Sequence, residues 1–134
     1  MLQFISGFIL LCNSRTEEEC LCRNLFGDLA RRLADMKEIQ PGDLGFLLNY
    51  EMDELLGIFI AASPARFHIE PKAWKGRFAA QVRVELLGPL QRVKDATFIL
   101  TQAGVGMAPM ATGILAPVFP VHPHEVIDKI LAHF

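Results

Sequence analysis

Residues 44–62 read LGFLLNYEMDELLGIFIAA, with apolar runs at Leu44–Tyr50 and Leu55–Ala62 flanking Glu51-Met52-Asp53-Glu54. Two such runs around a short polar turn predict a β-hairpin. The second run is apolar on both faces, as expected of a central strand. Outward from it, Phe78–Leu86 alternates cleanly. Phe78, Ala80, Val82, Val84 and Leu86 are expected inward, and Gln81, Arg83 and Glu85 outward. Phe4–Cys12 reads as a buried first strand, Ala96–Thr101 as another and Ile114–Phe119 as a shorter one.

Helix signals sit near both ends. Thr16-Glu17-Glu18-Glu19 matches a capping box, and Leu21/Leu25 and Cys22/Phe26, four apart, share a helix side. Beyond Gly27, Asp28 can cap a second helix whose apolar stripe is Leu29, Leu33 and Met36, with Arg31, Arg32 and Lys37 outside it. Pro41-Gly42-Asp43 is a turn. Pro123 suits the first turn of a last helix carrying Val126, Ile127, Ile130, Leu131 and Phe134. The expectation is one α+β domain over residues 1–134. It is a curled, mostly antiparallel barrel of five or six strands, with two N-terminal helices and one C-terminal helix.

Composition narrows the function classes. The chain has 134 residues, 51% hydrophobic and 21% charged, enough to bury a core. That excludes a disordered tail and a disulfide-stapled miniprotein. A net charge of −2, from 13 basic and 15 acidic residues, leaves no global field toward nucleic acid or an anionic membrane. Binding of that kind needs a local patch. Three cysteines, an odd number, fit a reduced, cytoplasmic setting. Residues 1–12 (MLQFISGFILLC) lack the basic region and cleavage site of a secretory signal. Residues 96–124 carry no Asp, Glu, Lys or Arg, but Gly104, Gly106, Gly113, Pro109, Pro117 and Pro120 break them into pieces too short to span a membrane.

Several chemical motifs fail. Cys20 and Cys22 would point away from each other on a helix, and no second ligand pair stands at zinc spacing. Gly104-Val105-Gly106 follows a strand signal, but the third glycine of a dinucleotide loop would fall at Pro109. His68, His122, His124 and His133 lack a nucleophile-elbow partner. No enzyme, metal or cofactor is expected.

Residues 67–78, FHIEPKAWKGRF, are chemically denser, holding the chain's one tryptophan, two phenylalanines, one histidine and three cations. An aromatic ring flanked by Lys72, Lys75 and Arg77 suits a nucleobase and its phosphates, the ring stacking and the cations holding the backbone. The alternative is that Trp74 plugs one end of the barrel and the cations form a solvated rim.

The chain resembles the DCD (development and cell death) domain of plant stress proteins from Gly7 to Val84. The carriers are Gly7-Phe8-Ile9-Leu10-Leu11-Cys12-Asn13, Leu25-Phe26-Gly27, Phe46-Leu47-Leu48-Asn49-Tyr50, Gly57-Ile58-Phe59 and Ala73-Trp74, with residues 77–84 (RFAAQVRV) closing the series. More broadly it is similar to the YTH and EVE families of the PUA-like fold, whose Trp-Lys-Gly-Arg-Phe-like segment Trp74–Phe78 matches. In those families an aromatic cage holds a methylated adenine. The resemblance implies a base-binding site with Trp74 on one wall, Phe26 on a second, and Ile69 or Phe67 on a third. Asn13 and Ser14 would lie near the base-reading turn, with Glu18 or Glu19 close by. Lys72, Lys75 and Arg77 would take phosphates, with Arg31 and Arg32 as further cations. The implied function is an RNA-binding module for a single strand or a modified nucleotide. The contrasting reading is a protein-interaction module of DCD type.

Residues 101–120 (TQAGVGMAPMATGILAPVFP) hold Met107, Met110, Ile114, Leu115, Val118 and Phe119 but no charge. Gly104–Gly113 makes poor strand and poor helix. Two expectations stand for it: a mobile piece near the pocket mouth, or a homodimer contact.

Overall fold

A computed structural model describes residues 6–134. In chain order come β1 (Ser6–Cys12), α1 (Glu17–Arg23), β2 (Leu25–Asp28), a 3-10 turn at Ala30–Arg32, α2 (Leu33–Met36), β3 (Leu44–Asn49), β4 (Glu54–Ala61) and β5 (Arg66–Phe67). A second 3-10 turn at Ala73–Gly76 precedes β6 (Ala80–Lys94), α3 (Ala96–Ala103), β7 (Met107–Pro109), β8 (Leu115–Pro117), β9 (Val121–Pro123) and α4 (His124–Leu131).

The expected hairpin is β3–β4, antiparallel, at the centre of a sheet ordered β2-β6-β4-β3-β1-β9, with β5 on β6. Only β1–β3 is parallel among these pairs. Phe4 and Ile5 of the expected first strand lie outside the described residues. The rest of β1 is apolar at nearly every position because both its faces are covered. One face, with Phe8 and Leu10, turns into the curl of the sheet toward Phe26, Phe59, Val82 and Val84. The other, with Ile9, packs with Leu44 and Phe46 against Ile99 and Leu100 of α3 and Ile127 and Ile130 of α4. Gly7 lets α4 settle this closely, since a Cβ there would stand 2.5 Å from Ile127 Cγ1.

β6 spans both halves of the curl. Ala80–Arg83 pairs with β2, and Val84–Lys94 pairs with β4. The curl brings β2 back against β1, where Phe26 meets Phe8 edge-on at 6.2 Å and Phe59 at 4.8 Å. The fold is thus the expected α+β curled barrel, although it uses nine strands rather than five or six among the described residues.

The differences have local causes. Thr16 makes no side-chain cap to α1. Instead Asn13 Oδ1 accepts from the Arg15 and Thr16 amides at 2.9 and 3.0 Å, so an Asx turn leads into the helix. Asn24 adopts a left-handed conformation at φ 51° and stops α1. Leu25 and Phe26 therefore pair with β6 instead of extending the helix. The second helix shrinks to a 3-10 turn and the four residues of α2, burying Leu33 and Met36. Ala96–Thr101 is helix rather than strand: Ala96, Ile99, Leu100 and Ala103 share one buried face. Asp53 caps it from the β3–β4 turn, accepting from Thr97 N–H and Oγ1 at 2.8 Å each. Leu86 is exposed instead of inward, and Gln81 is buried instead of outward. Among the described residues no helix is long and apolar enough to cross a membrane.

Candidate functional site

Gln81 explains why the segment before β6 is ordered. Its amide is 1% exposed and grips residue 70, with Oε1 accepting from Glu70 N–H at 2.7 Å and Nε2 donating to Glu70 O at 3.2 Å. Nε2 also donates to Phe78 O at 3.0 Å, closing the loop on itself. The Glu70 carboxylate receives Arg23 and Arg83, each at 2.6 Å. Burial would push that carboxyl up, but the hydrogen bonds from Arg83 and Arg23 together outweigh it and hold it below the usual carboxylate range.

Between these anchors the chain makes a strained turn. Trp74, Lys75 and Gly76 follow one another with φ of 49°, 55° and 81°. Each of the two non-glycine residues costs about 1–2 kcal/mol in that left-handed region. Contacts from α1 offset the strain. Trp74 N–H donates to Glu19 Oε2 in a short hydrogen bond, and indole Nε1 donates to Thr16 O at 3.4 Å. Glu19 is itself fixed by Arg23 Nε at 3.0 Å. The indole is 3% exposed and meets Phe78 edge-on at 5.7 Å.

Beside this turn lies a cleft of about 390 Å³ lined by Arg15, Thr16, Glu19, Trp74, Lys75 and Arg77. Three cations face a single carboxylate there. Arg77 sits 5.6 Å from the Phe78 ring centroid, and its Nε reaches Trp74 O at 3.4 Å. Arg15 and Lys75 make no ion pair among the described residues. The cleft can attract an anion, while Trp74 borders it with its ring buried in the core, as the barrel-plug alternative expects.

The expected site residues divide. Trp74, Lys75 and Arg77 come together in the cleft, as does Glu19. Lys72 and Ile69 line an adjoining hollow of about 330 Å³ with Arg23, Glu70 and Pro71. Phe26 is wholly buried between Phe8 and Phe59 and is not a cleft wall, because β2 turns its ring into the barrel. Phe67, 52% exposed on β5, lies outside the cleft. Asn13 spends its side chain on the Asx turn and on Tyr50 Oη at 3.3 Å. Ser14 is held by its amide to Glu51 Oε1 at 2.9 Å, and neither residue lines the cleft. Glu18 lines a third hollow with Arg15, Glu19, Cys22 and Arg23. Arg31 and Arg32 border a separate groove.

Arg15 and Thr16 were missing from the sequence-based set. Their signal was Asn13, whose Oδ1 accepts from both of their amides and fixes them beside the Trp74 segment. Among the described residues no group of three or more His, Cys, Asp or Glu is placed to hold a metal. Cys12 and Cys20 are buried free thiols, and burial pushes Cys20 up to about 12.

Solved structures with this architecture include YTH domains. The Pho92 YTH domain in complex with m6A aligns at TM-score 0.67 over 98% of this chain and 86% of that one, at 10% identity. The MRB1 YTH domain of Zygosaccharomyces rouxii, in complex with N6-methyladenosine RNA, aligns at 0.64 over 98% and 90%, at 15% identity. These establish a shared fold. Sequence relatives include the B2 protein of Daucus carota, 41% identical over 87 residues, which are 60% of this chain and 42% of that protein. The DCD domain-containing protein NRP-B of Glycine max is 44% identical over 87 residues, 60% of this chain and 26% of that protein. The chain thus matches less than half the length of either relative. The development and cell death domain model matches residues 6–100, and the chain belongs to that family.

Proposed function

We propose that this domain is a binding module, not an enzyme, and that it holds single-stranded RNA at the Arg15–Lys75–Arg77 cleft. The observation that carries the reading is three cations gathered around the edge of the chain's one tryptophan. Backbone phosphates pair with the cations, and a base lies toward Trp74. The YTH domains of the same fold are found in complexes with RNA and with N6-methyladenosine, which supports this choice of ligand.

Trp74 borders the cleft while its ring is buried. Stacking a base on the ring face requires the Trp74–Gly76 turn to rotate, a motion that relieves its left-handed strain but gives up the Trp74 hydrogen bonds to Glu19 and Thr16. With Phe26 in the core, Trp74 is the cleft's aromatic wall. A methylated adenine gains from that wall through its added apolar surface. In a reducing cytoplasmic setting the three thiols stay free.

Titration of Trp74 fluorescence with a single-stranded RNA, with and without N6-methyladenosine, tests the proposal. Saturable change with either oligonucleotide is expected. A flat signal, combined with no binding by an independent mobility assay, overturns it. The protein-interaction reading is favoured by a different observation, the apolar groove beside β7–β8.

A further inference from the structure

Residues 101–120 do not reach the Trp74 cleft. After the end of α3 they form the β7–β8 ribbon, a two-stranded sheet separate from the main one. Between this ribbon and the Leu29–Arg32 turn runs a groove of about 370 Å³, whose lining includes Leu29, Arg31, Arg32, Met110, Ala116 and Val118. Ten large apolar side chains are exposed among the described residues; Leu29 and Val118 line this groove, and Ile114, Leu115 and Phe119 lie on the same 101–120 segment outside its lining. That concentration, unlike scattered single residues, marks a contact surface.

Charge at the groove is one-sided. Arg32 is engaged, with Asp28 at 3.7 Å, Asp35 at 3.8 Å and Val118 O at 3.1 Å. Asp28 is likewise engaged, by Arg32 and by the Leu29 amide at 2.7 Å. Arg31 is exposed and has no ion-pair or hydrogen-bond partner among the described residues. Arg31 feels the Asp28 carboxylate, but Arg32 already engages that group, so the lip carries an exposed cation without an ion pair over an apolar floor.

We propose that this groove docks a short segment of a partner protein in which an acidic residue is flanked by apolar side chains. The acid meets Arg31, and the apolar side chains cover Leu29, Met110 and Val118. Pro109 and Pro117 remove amide donors from both ribbon strands, so the contact is made by side chains rather than by adding a strand. A second copy fits less well. A two-fold contact sets a patch against itself, and the groove lining holds no carboxylate other than Asp28, already engaged by Arg32, to meet Arg31. The groove shares no lining residue with the Trp74 cleft, so this inference stands apart from RNA binding.

The test selects a displayed random-peptide library on the full chain, with counter-selection on Arg31→Glu/Val118→Asp. Enriched peptides are expected to carry Asp or Glu among apolar residues. A fluorescein-labelled enriched peptide should bind Arg31→Glu about tenfold more weakly, because like charges then face each other. Replacing its acid by lysine should restore binding to that variant. Arg31→Ala serves as the second variant should circular dichroism show the double substitution misfolded. Enrichment that ignores the groove substitutions, peptides without acids, or no enrichment at all overturns the proposal. So does a wild-type dimer in light scattering that Val118→Asp dissolves, which would make a second copy the occupant.

Discussion

Gly27 and Trp74 are in direct contact across β2: a Cβ at position 27 would stand 2.6 Å from Trp74 Cζ3 and 2.9 Å from Cη2. The glycine is therefore a seat for the indole, and the position of the Trp74 turn depends on it. Gly27→Ala should cost about 1–3 kcal/mol through overpacking and should expose the tryptophan. Urea unfolding followed by the Trp74 emission maximum checks both. An unchanged midpoint with an unshifted maximum would mean the seat is loose.

The Glu70 carboxyl lies below its ordinary value of 4.5, held there by Arg83 and Arg23 against the opposing effect of burial. Glu17 is also lowered, first by its hydrogen bond from Arg92 and further by Asn49. Below pH 4.5 the unfolded chain binds more protons at these two residues than the folded chain does. Their contribution to stability is thus present above pH 4.5 and lost as pH falls through the lower folded values. Glu70→Gln should flatten the loss of stability between pH 5 and about pH 3, measured by chemical denaturation. An unaltered pH profile would remove Glu70 from the account of acid unfolding.

His122 acts in a different window. Its Nε2 is buried with no hydrogen-bond partner among the described residues, and burial holds the imidazole below 6.5 despite a backbone hydrogen bond at Phe119. The folded chain binds fewer protons there than the unfolded chain. Stability should therefore fall as pH drops below 6.5, before the carboxylates respond. His122→Phe should abolish that first step and leave the later one. Retention of the step in the variant would place the titrating group elsewhere.

Much of the fold is legible because burial writes itself into residue spacing. β3 and β4 announce themselves by apolar runs around a polar turn, and α4 by Ile127 and Ile130 on one side. α3 was hidden because six consecutive residues, mostly apolar, fit strand and helix alike. Its deciding contact comes from Asp53, 44 positions away. β2 was hidden by Asn24, whose left-handed conformation ends the helix where the apolar spacing would continue it. The site shows the same division. Trp74, Lys75 and Arg77 are neighbours in sequence and remain neighbours in space. Thr16 joins them from 58 positions away, which no local pattern announces. Phe26 failed as a wall because successive strand residues face opposite ways. Its neighbour Gly27 is the residue that meets Trp74.

RNA binding at the cleft should depend weakly on salt. Arg15, Lys75 and Arg77 can neutralise three phosphates, so log affinity against log salt should fall with a slope of about −2 for a single strand. Lys75→Ala/Arg77→Ala should flatten that slope to about −0.7 while leaving the fold intact. A much steeper wild-type slope would require contacts well beyond this cleft.

The most direct measurement of the central claim is an amide and indole chemical-shift map of the isotope-labelled chain titrated with single-stranded RNA. The largest changes are expected at Arg15, Thr16, Glu19, Lys75 and Arg77 and at the Trp74 indole N–H. Saturating RNA that leaves these signals in place, or that shifts only residues outside the cleft, would contradict the assignment.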